Sequence, residues 1–122
     1  MNKVSSSNAP SADHILSQAI VSNGIVFVSG QIHQNADGSL SEGTVAEKLD
    51  RIFSNIDSIL REAGTSRNKI IKITIYVTDM EQMVEINENY AKYFDLLPAR
   101  EAIGVVALPL GATIEIAAIA EL

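Results

Sequence analysis

The chain contains no cysteine and no tryptophan among its 122 residues, and it has only three phenylalanines and three tyrosines. The absence of cysteine excludes disulfide bonds, thiolate metal sites and cysteine nucleophiles. The scarcity of aromatic residues argues against a surface on which nucleic-acid bases would stack. A hydrophobic fraction of 47% with so few aromatic side chains predicts a core of Ile, Val, Leu and Ala.

Positive charge is also scarce, because nine Lys and Arg residues face fifteen Asp and Glu residues, for a net charge of −6. Such a charge repels phosphate backbones, so we expect no nucleic-acid partner. The two histidines, His14 and His33, do not define a metal site without a carboxylate at a known distance. We therefore predict no metal, and we place His14 on the surface.

No long apolar run interrupts the chain, and its first seven residues lack the apolar segment of a secretory signal. We expect a soluble, cytoplasmic protein without a membrane partner. A length of 122 residues indicates a single domain with one core. Residues 1–13 show no periodicity and are predicted to form a flexible N-terminal arm.

The first half of the chain predicts a hairpin followed by a helix. Ile15–Val21 and Ile25–Ser29 flank Asn23-Gly24, a dipeptide that favours tight hairpin turns. Thr44 and Glu47 are spaced as a capping box, and apolar residues then recur at helical spacing up to Gly64.

The second half predicts a strand, a helix and a final hairpin. Ile70–Val77 alternates, with Ile71, Ile73, Ile75 and Val77 assigned to one side, and should run parallel to Ile25–Ser29. Asp79 is the predicted cap of a helix whose apolar stripe consists of Met83, Ile86, Tyr90, Phe94 and Leu97. The segments 101–107 and 112–121 flank Pro109 and Gly111, which indicates a hairpin.

Two charges interrupt the apolar C-terminal quarter of the chain, Arg100 and Glu115. Each needs a counter-charge or a solvated cleft, so they form either an ion pair at a sheet edge or part of a ligand site. Asn87 lies beside the apolar stripe of the second helix, where it is either a buried amide bonded to a neighbouring loop or a site residue.

Several short segments form a recognisable pattern: Pro98-Ala99-Arg100, Leu108-Pro109, Ile114 to Ala120, Ser29-Gly30-Gln31, Ala63-Gly64, and Asn87 followed by Tyr90 and Phe94. In this order they resemble the reactive intermediate deaminase family, the imine and enamine deaminases once labelled L-PSP endoribonucleases. The resemblance implies a chorismate-mutase-like α+β fold with the order β-β-α-β-α-β-β and two helices on one face of a mixed sheet. It also implies a homotrimer that encloses a central barrel, with its sites at the subunit interfaces.

The resemblance further implies a cofactor-free hydrolysis of 2-imino acids to 2-keto acids and ammonia. Arg100 would bind the substrate carboxylate, a task that suits its paired donors. Glu115 would deliver the water and manage the protons. Its flanking isoleucines favour a raised pKa, a neighbouring Arg100 would lower the pKa again, and the sequence does not decide between these two effects. Ser29, Gly30 and Asn87 would line the pocket.

This chain departs from the family pattern at two pocket positions. Leu16 stands where the family commonly has a tyrosine, and Ala102 stands where a cysteine is often found. Both changes make the expected pocket more apolar. They favour substrates with larger, branched side chains, or they mark a relative with weak activity.

Two other functions fit parts of the same pattern. A non-catalytic trimer would use Arg100 to bind a 2-keto or amino acid without turnover. A ribonuclease, as in the family's older label, is the weakest alternative, because the chain is acidic and has no general-base histidine near the arginine.

Overall fold

A six-stranded sheet and two helices make up the computed structural model, which describes residues 1–122. The strands are β1 (Asn2–Val4), β2 (Ala19–Ser22), β3 (Ile25–Ile32), β4 (Ile70–Val77), β5 (Ala99–Gly104) and β6 (Ile114–Glu121). The helices are α1 (Val45–Ala63) and α2 (Met83–Tyr90). Neither helix is long and apolar enough to cross a membrane.

The strands lie in the order β1-β2-β3-β6-β4-β5. All neighbouring strands are antiparallel except β4 and β5, which run parallel. The predicted α+β class with a mixed sheet is confirmed. The sheet has one more strand than predicted, because β1 adds an edge.

Both helices cover the same face of the sheet, as predicted. The helix α1 packs against β3, β6 and α2. Alternate residues of the neighbouring strands β4 and β6 point towards the helices and are fully buried: Ile73, Ile75, Val77, Ile114 and Ile116. The face opposite the helices, here called the open face, carries the intervening residues: Phe27, Thr74, Tyr76, Ile103, Glu115 and Ile119.

The ends of α1 follow the predicted capping chemistry. The Thr44 hydroxyl accepts a hydrogen bond from the Glu47 backbone N–H at 3.1 Å, and the Glu47 carboxylate accepts one from the Thr44 N–H at 3.3 Å. At the other end Gly64 adopts φ = 90°, a left-handed conformation that suits glycine. These local signals determine where the helix begins and ends.

The N-terminal hairpin is also confirmed, with β2 antiparallel to β3. Its turn places Asn23 at φ = 51° and Gly24 at φ = 76°, the left-handed pair that an Asn-Gly turn requires. The paired part of β2 is shorter than predicted and starts at Ala19.

The prediction of a flexible arm over residues 1–13 is wrong. Residues 2–4 pair with β2, and Val4 and Ala9 are buried in the core. The side chain of Gln18 anchors the segment, because its amide donates to three carbonyls: those of Ser6, Ala9 and Pro10. A buried side chain that pairs with an irregular backbone has no periodicity, so the sequence pattern did not reveal it.

The prediction of a C-terminal hairpin is also wrong. The strand β5 pairs with β4 in parallel, while β6 lies on the other side of β4. Between them the Pro109–Gly111 turn is present, with Gly111 at φ = 77°, but it belongs to a connection that crosses the end of β4. Turn residues specify a local bend and do not specify which strands pair.

The strand β4 runs in the same direction as β3, since both are antiparallel to β6, but β6 separates them. A register shift between Ile70 and Lys72 also changes the predicted alternation. Ile70 is buried and Ile71 is 43% exposed, so Ile71 does not share a face with Ile73. A bulge of this kind displaces one residue from the alternating pattern.

The second helix is shorter than predicted. Asp79 caps a 3₁₀ turn that leads into α2, and a second 3₁₀ turn ends at Tyr93. Phe94 is buried beyond that turn, but Leu97 is 58% exposed and is not part of the helical stripe.

Candidate active site

Arg100 lies on the edge strand β5, on the face covered by the helices. It is paired with Ile73 of β4, whose side chain is buried beneath the helices. Its Nη1 donates to the Asn87 Oδ1 of α2 at 2.8 Å, and its Cζ lies 4.9 Å from the centre of the Tyr90 ring. None of the ion pairs of the chain includes Arg100.

Glu115 lies near the start of β6, on the open face. It is paired with Ile32 of β3 and Tyr76 of β4, and its neighbours Ile114 and Ile116 point into the core. The side chain is half-buried. Burial raises the pKa of the Glu115 carboxyl, and no hydrogen-bond donor or cation of the chain opposes that effect.

Glu115 depends on Gly30 for its position. A Cβ atom at Gly30 would lie 2.8 Å from both Cδ and Oε2 of Glu115, too close for either group to stay in place. Gly30 occupies the irregular part of β3 between Val28 and Gln31, where the register with β6 shifts. The missing side chain at position 30 therefore makes room for the carboxylate.

Arg100 and Glu115 do not form the ion pair that was one interpretation of the sequence. They lie on opposite faces of the sheet, on strands separated by β4. The candidate residues therefore fall into two groups within one chain. The group named here the basic half-site comprises Arg100, Asn87, Tyr90 and Ala102. The group named the acidic half-site comprises Glu115 and Gly30 with the predicted site residues Ser29 and Leu16.

The interpretation of Asn87 as a buried amide bonded to a loop is wrong. Its side chain is exposed, and it accepts a hydrogen bond from Arg100. Asn87 and Tyr90 are three residues apart on α2, so they share the helix face that meets Arg100.

Ser29 and Leu16 belong to adjoining segments of the acidic half-site. The Ser29 hydroxyl donates to the Ser17 carbonyl at 2.6 Å, which ties β3 to the segment that contains Leu16. Leu16 itself is 45% exposed. Ala102 is half-buried on β5, on the same face as Arg100, and packs against the core. The two departures from the family pattern thus lie in different half-sites.

Comparison with known proteins identifies the family. Residues 6–122 match the family model described as Endoribonuclease L-PSP. A RutC family protein of Aquifex aeolicus is 44% identical over 124 residues, with 98% of each chain covered. The chain belongs to the endoribonuclease L-PSP family. Its resemblance to the reactive intermediate deaminases is thereby confirmed.

Two further relatives have a known activity or a known bound molecule. A 2-iminobutanoate/2-iminopropanoate deaminase of Rattus norvegicus is 40% identical over 119 residues, which cover 96% of this chain and 87% of the rat protein. The crystal structure of Escherichia coli TdcF with bound serine superposes with a TM-score of 0.93 at 31% identity, and all of both chains is covered. The L-PSP fold of this chain is therefore shown by sequence and by structure.

The sequence pattern did not identify the contacts of two residues, Tyr90 and His33. Tyr90 was assigned to an apolar stripe and to the family pattern but to no site, although its ring lies beneath the Arg100 guanidinium. His33 is buried, donates from Nδ1 to the Ser41 carbonyl at 2.9 Å and accepts at Nε2 from the Thr113 N–H at 3.0 Å. A histidine ring that bonds two other segments of the chain gives no local signal.

The histidines do not assemble a metal centre. Burial lowers the pKa of His33, so the neutral ring serves as both donor and acceptor. His14 is exposed, in the segment that precedes Leu16. The chain has no group of three or more His, Cys, Asp or Glu side chains placed to hold a metal ion.

Proposed function

We propose that this chain is a cofactor-free deaminase that hydrolyses reactive 2-imino acids and their enamine forms to 2-keto acids and ammonia. The similarity to the rat iminobutanoate deaminase supports a deaminase-type role at the level of the family. One observation carries the proposal for this chain. The Arg100 guanidinium is exposed and oriented by a neutral amide, and it has no carboxylate partner within its own chain.

Arg100 binds the substrate carboxylate in this proposal. A guanidinium offers paired N–H donors that match the two oxygens of a carboxylate. One donor is directed to Asn87, which fixes the plane of the group and leaves other donors for the substrate. Fixing the carboxylate end of a small imino acid also fixes the distance of its C=N carbon from an attacking water.

Glu115 acts on the water and on the leaving group. The substrate reacts as the protonated iminium, and the Glu115 carboxylate accepts a proton from the water that attacks the C=N carbon, which forms a neutral tetrahedral carbinolamine. The protonated carboxyl then gives that proton to the nitrogen, and the C–N bond breaks to release ammonia. As the C=O bond forms, the regenerated carboxylate accepts the proton of the carbinolamine hydroxyl. Burial raises the pKa of Glu115, which improves its capacity for both transfers.

The two half-sites meet between copies of the chain in this proposal. Within one chain β4 and the thickness of the sheet separate Arg100 from Glu115. The open face carries apolar side chains, including Phe27 and Ile103, at 48% and 40% exposure, which a second copy would cover. A homotrimer with sites at its interfaces brings the basic half-site of one copy to the acidic half-site of the next.

Leu16 and Ala102 bear on the side chain of the substrate. Each places an apolar group in one half-site, so the assembled pocket favours 2-imino acids with larger, branched apolar side chains. The preference is measurable as a ratio of kcat/KM between leucine-like and alanine-like imines.

A second function is favoured by one observation, the serine bound to TdcF. Serine carries the carboxylate that Arg100 suits, so this chain is alternatively a non-catalytic binder of small carboxylates. The matched family model also names an endoribonuclease, but the net charge of −6 opposes the approach of RNA.

The deciding experiment measures 2-keto acid and ammonia formation from freshly generated 2-imino acids. Wild type is compared with Arg100→Ala and with Arg61→Ala, an exposed arginine of α1 that lies in neither half-site. We expect wild type and Arg61→Ala to accelerate hydrolysis equally. Arg100→Ala should lower kcat/KM by roughly a hundredfold, since it loses a charge-assisted, bidentate contact.

The opposite results have distinct meanings. If wild type leaves every imine at its uncatalysed rate but binds serine through Arg100, the chain is a carboxylate binder. If Arg61→Ala loses as much activity as Arg100→Ala, the assignment of Arg100 is wrong.

A further inference from the structure

We propose that Tyr90 is a positioning residue for the carboxylate-binding step, because its buried ring forms the floor on which the Arg100 guanidinium lies. The inference rests on the function proposed for Arg100. It assigns to the Tyr90 ring a role in substrate affinity that is separate from its packing in the core.

The ring of Tyr90 is a rigid support. Tyr90 is 6% exposed, and its ring centre lies 5.2 Å from that of Phe94, which in turn lies 5.6 Å from that of Phe53. The three rings connect the edge of the sheet to the centre of the core. A group that lies on the Tyr90 ring is therefore held by the core and not by a mobile surface.

The contact between Tyr90 and Arg100 has the geometry of a cation–π interaction. The Arg100 Cζ lies 4.9 Å from the ring centre, within the distance at which the face of an aromatic ring attracts a guanidinium. Asn87, three residues earlier on α2, binds Nη1 at 2.8 Å. The ring and the amide together restrict a long side chain that would otherwise sample many rotamers.

A second arginine of the chain, Arg67, shows which partner Arg100 lacks. Arg67 also lies over a buried tyrosine, with its Cζ 5.1 Å from the Tyr93 ring centre, but it is paired with the carboxylate of Asp57. Arg100 has the same aromatic support and a neutral amide in place of a carboxylate. The comparison indicates that the carboxylate partner of Arg100 comes from a ligand.

The Tyr90 hydroxyl does not contribute to this role. It is buried without a hydrogen-bond partner. Burial also raises the pKa of the phenol, against the effect of the Arg100 charge, so the ring is neutral and forms no ion pair with the guanidinium. Phenylalanine at this position should therefore serve as well as tyrosine.

The test compares variants with and without a ring at position 90. Tyr90→Leu removes the aromatic face, and Tyr90→Phe keeps it. Tyr93→Leu is the matched control, because it removes a buried tyrosine and its contact with Arg67 and leaves Arg100 untouched. KM and kcat for a 2-imino acid, the dissociation constant of serine and the melting temperature are measured for each protein.

We expect Tyr90→Leu to raise KM and the serine dissociation constant by about three- to tenfold, the value of one cation–π contact, with kcat within about twofold of wild type. Tyr90→Phe should match wild type in both constants. Tyr93→Leu should lower the melting temperature without raising KM. If Tyr90→Leu does not fold, Tyr90→Met fills the same space without an aromatic face and takes its place.

Three results would overturn the proposal. They are an unchanged serine affinity in Tyr90→Leu, an equal loss in Tyr93→Leu, or an equal loss in Tyr90→Phe. The serine titration separates this inference from the enzymatic one. If wild type binds serine but hydrolyses no imine, the deaminase proposal fails, and the affinity of Tyr90→Leu still decides the role of the ring. If wild type binds no serine and hydrolyses no imine, both proposals fail.

Discussion

The two half-sites hold their charged groups by opposite means. In the basic half-site, Arg100 is held by attractive contacts, a hydrogen bond that it donates to Asn87 and the face of the Tyr90 ring. In the acidic half-site, Glu115 has no donor or cation of the chain beside it, and it occupies space left by the missing side chain of Gly30.

The difference suits the tasks proposed for the two groups. A carboxylate-binding arginine keeps its charge throughout the cycle, so contacts that orient the charged form help it. A proton-transfer group has to change its charge, so a surrounding that stabilises the charged form strongly would hold it in one state. Steric positioning orients the Glu115 carboxyl and leaves both of its protonation states accessible.

The largest effect is expected from Glu115→Gln, which keeps the shape of the side chain and removes its titration. We expect kcat to fall by about 10²- to 10⁴-fold, with KM little changed, because general acid–base catalysis contributes that much. Arg100→Ala should act mainly on KM. Steady-state kinetics of both variants would show whether the two half-sites divide binding from chemistry.

The same variant tests the raised pKa of Glu115. A carboxyl whose pKa is higher in the folded state than its ordinary value of 4.5 stabilises the fold at pH values below 4.5. This contribution to the free energy of unfolding is lost as the pH rises through the pKa of the folded state. Glu115→Gln should therefore raise the melting temperature at pH 7 and have no such effect below pH 4.5. Glu121→Gln, on an exposed glutamate of the same strand, is the control. If Glu115→Gln kept the wild-type kcat, the assignment of Glu115 as the proton-transfer group would be wrong.

An intermediate effect is expected from Gly30→Ala. The added methyl group would lie 2.8 Å from the Glu115 carboxyl and displace it, so we expect kcat to fall by roughly ten- to a hundredfold with little loss of stability. The measurement is kcat together with the melting temperature.

The chain offers a matched glycine on the strand that carries Arg100. A Cβ at Gly104 would meet only the flexible side chain of Met80, at 3.1 and 3.3 Å. Gly104→Ala should therefore leave kcat within about twofold of wild type. If both alanine variants lost the same activity, the steric account of the acidic half-site would be wrong.

The smallest effect is expected from His33, which bonds the N–H of Thr113 just before β6. Burial lowers its pKa, Lys48 adds to the effect, and the Ser41 carbonyl and Glu42 oppose it. The contribution of the neutral His33 ring to the free energy of unfolding is complete above pH 6.5, its ordinary pKa. That contribution is lost as the pH falls towards the lower pKa of the folded state. The slope is at most about 1.4 kcal/mol per pH unit for one proton.

Denaturant unfolding between pH 7.5 and 5 would measure that slope. His33→Gln, which has no titrating ring, should flatten it. Backbone amide chemical shifts would show whether acid loosens Thr113, two residues before Glu115, before it changes Asn87 in the basic half-site. Parallel stability curves for the two proteins would rule out His33 as the source.

The fold was predictable wherever the signal is local. The capping box at Thr44, the left-handed Gly64 and the Asn23-Gly24 turn each depend on residues a few positions apart, and all three are present in the structure. The prediction of a C-terminal hairpin failed because Pro109 and Gly111 specify only a bend. Which strands pair depends on contacts between residues that are far apart in the sequence. The prediction of a flexible arm over residues 1–13 failed for the same reason, since the anchoring of this segment depends on Gln18.

The site divides in the same way. The sequence by itself determined that Arg100 and Glu115 are charges in an apolar region, and the isoleucines beside Glu115 favoured a raised pKa for its carboxyl. It did not determine the face of Arg100, because each face of β5 carries one charged residue, Arg100 on one and Glu101 on the other, and period-two alternation then has no reference. Only the parallel register of β5 with β4, which pairs Arg100 with Ile73, decided that the two charges lie on opposite faces of the sheet.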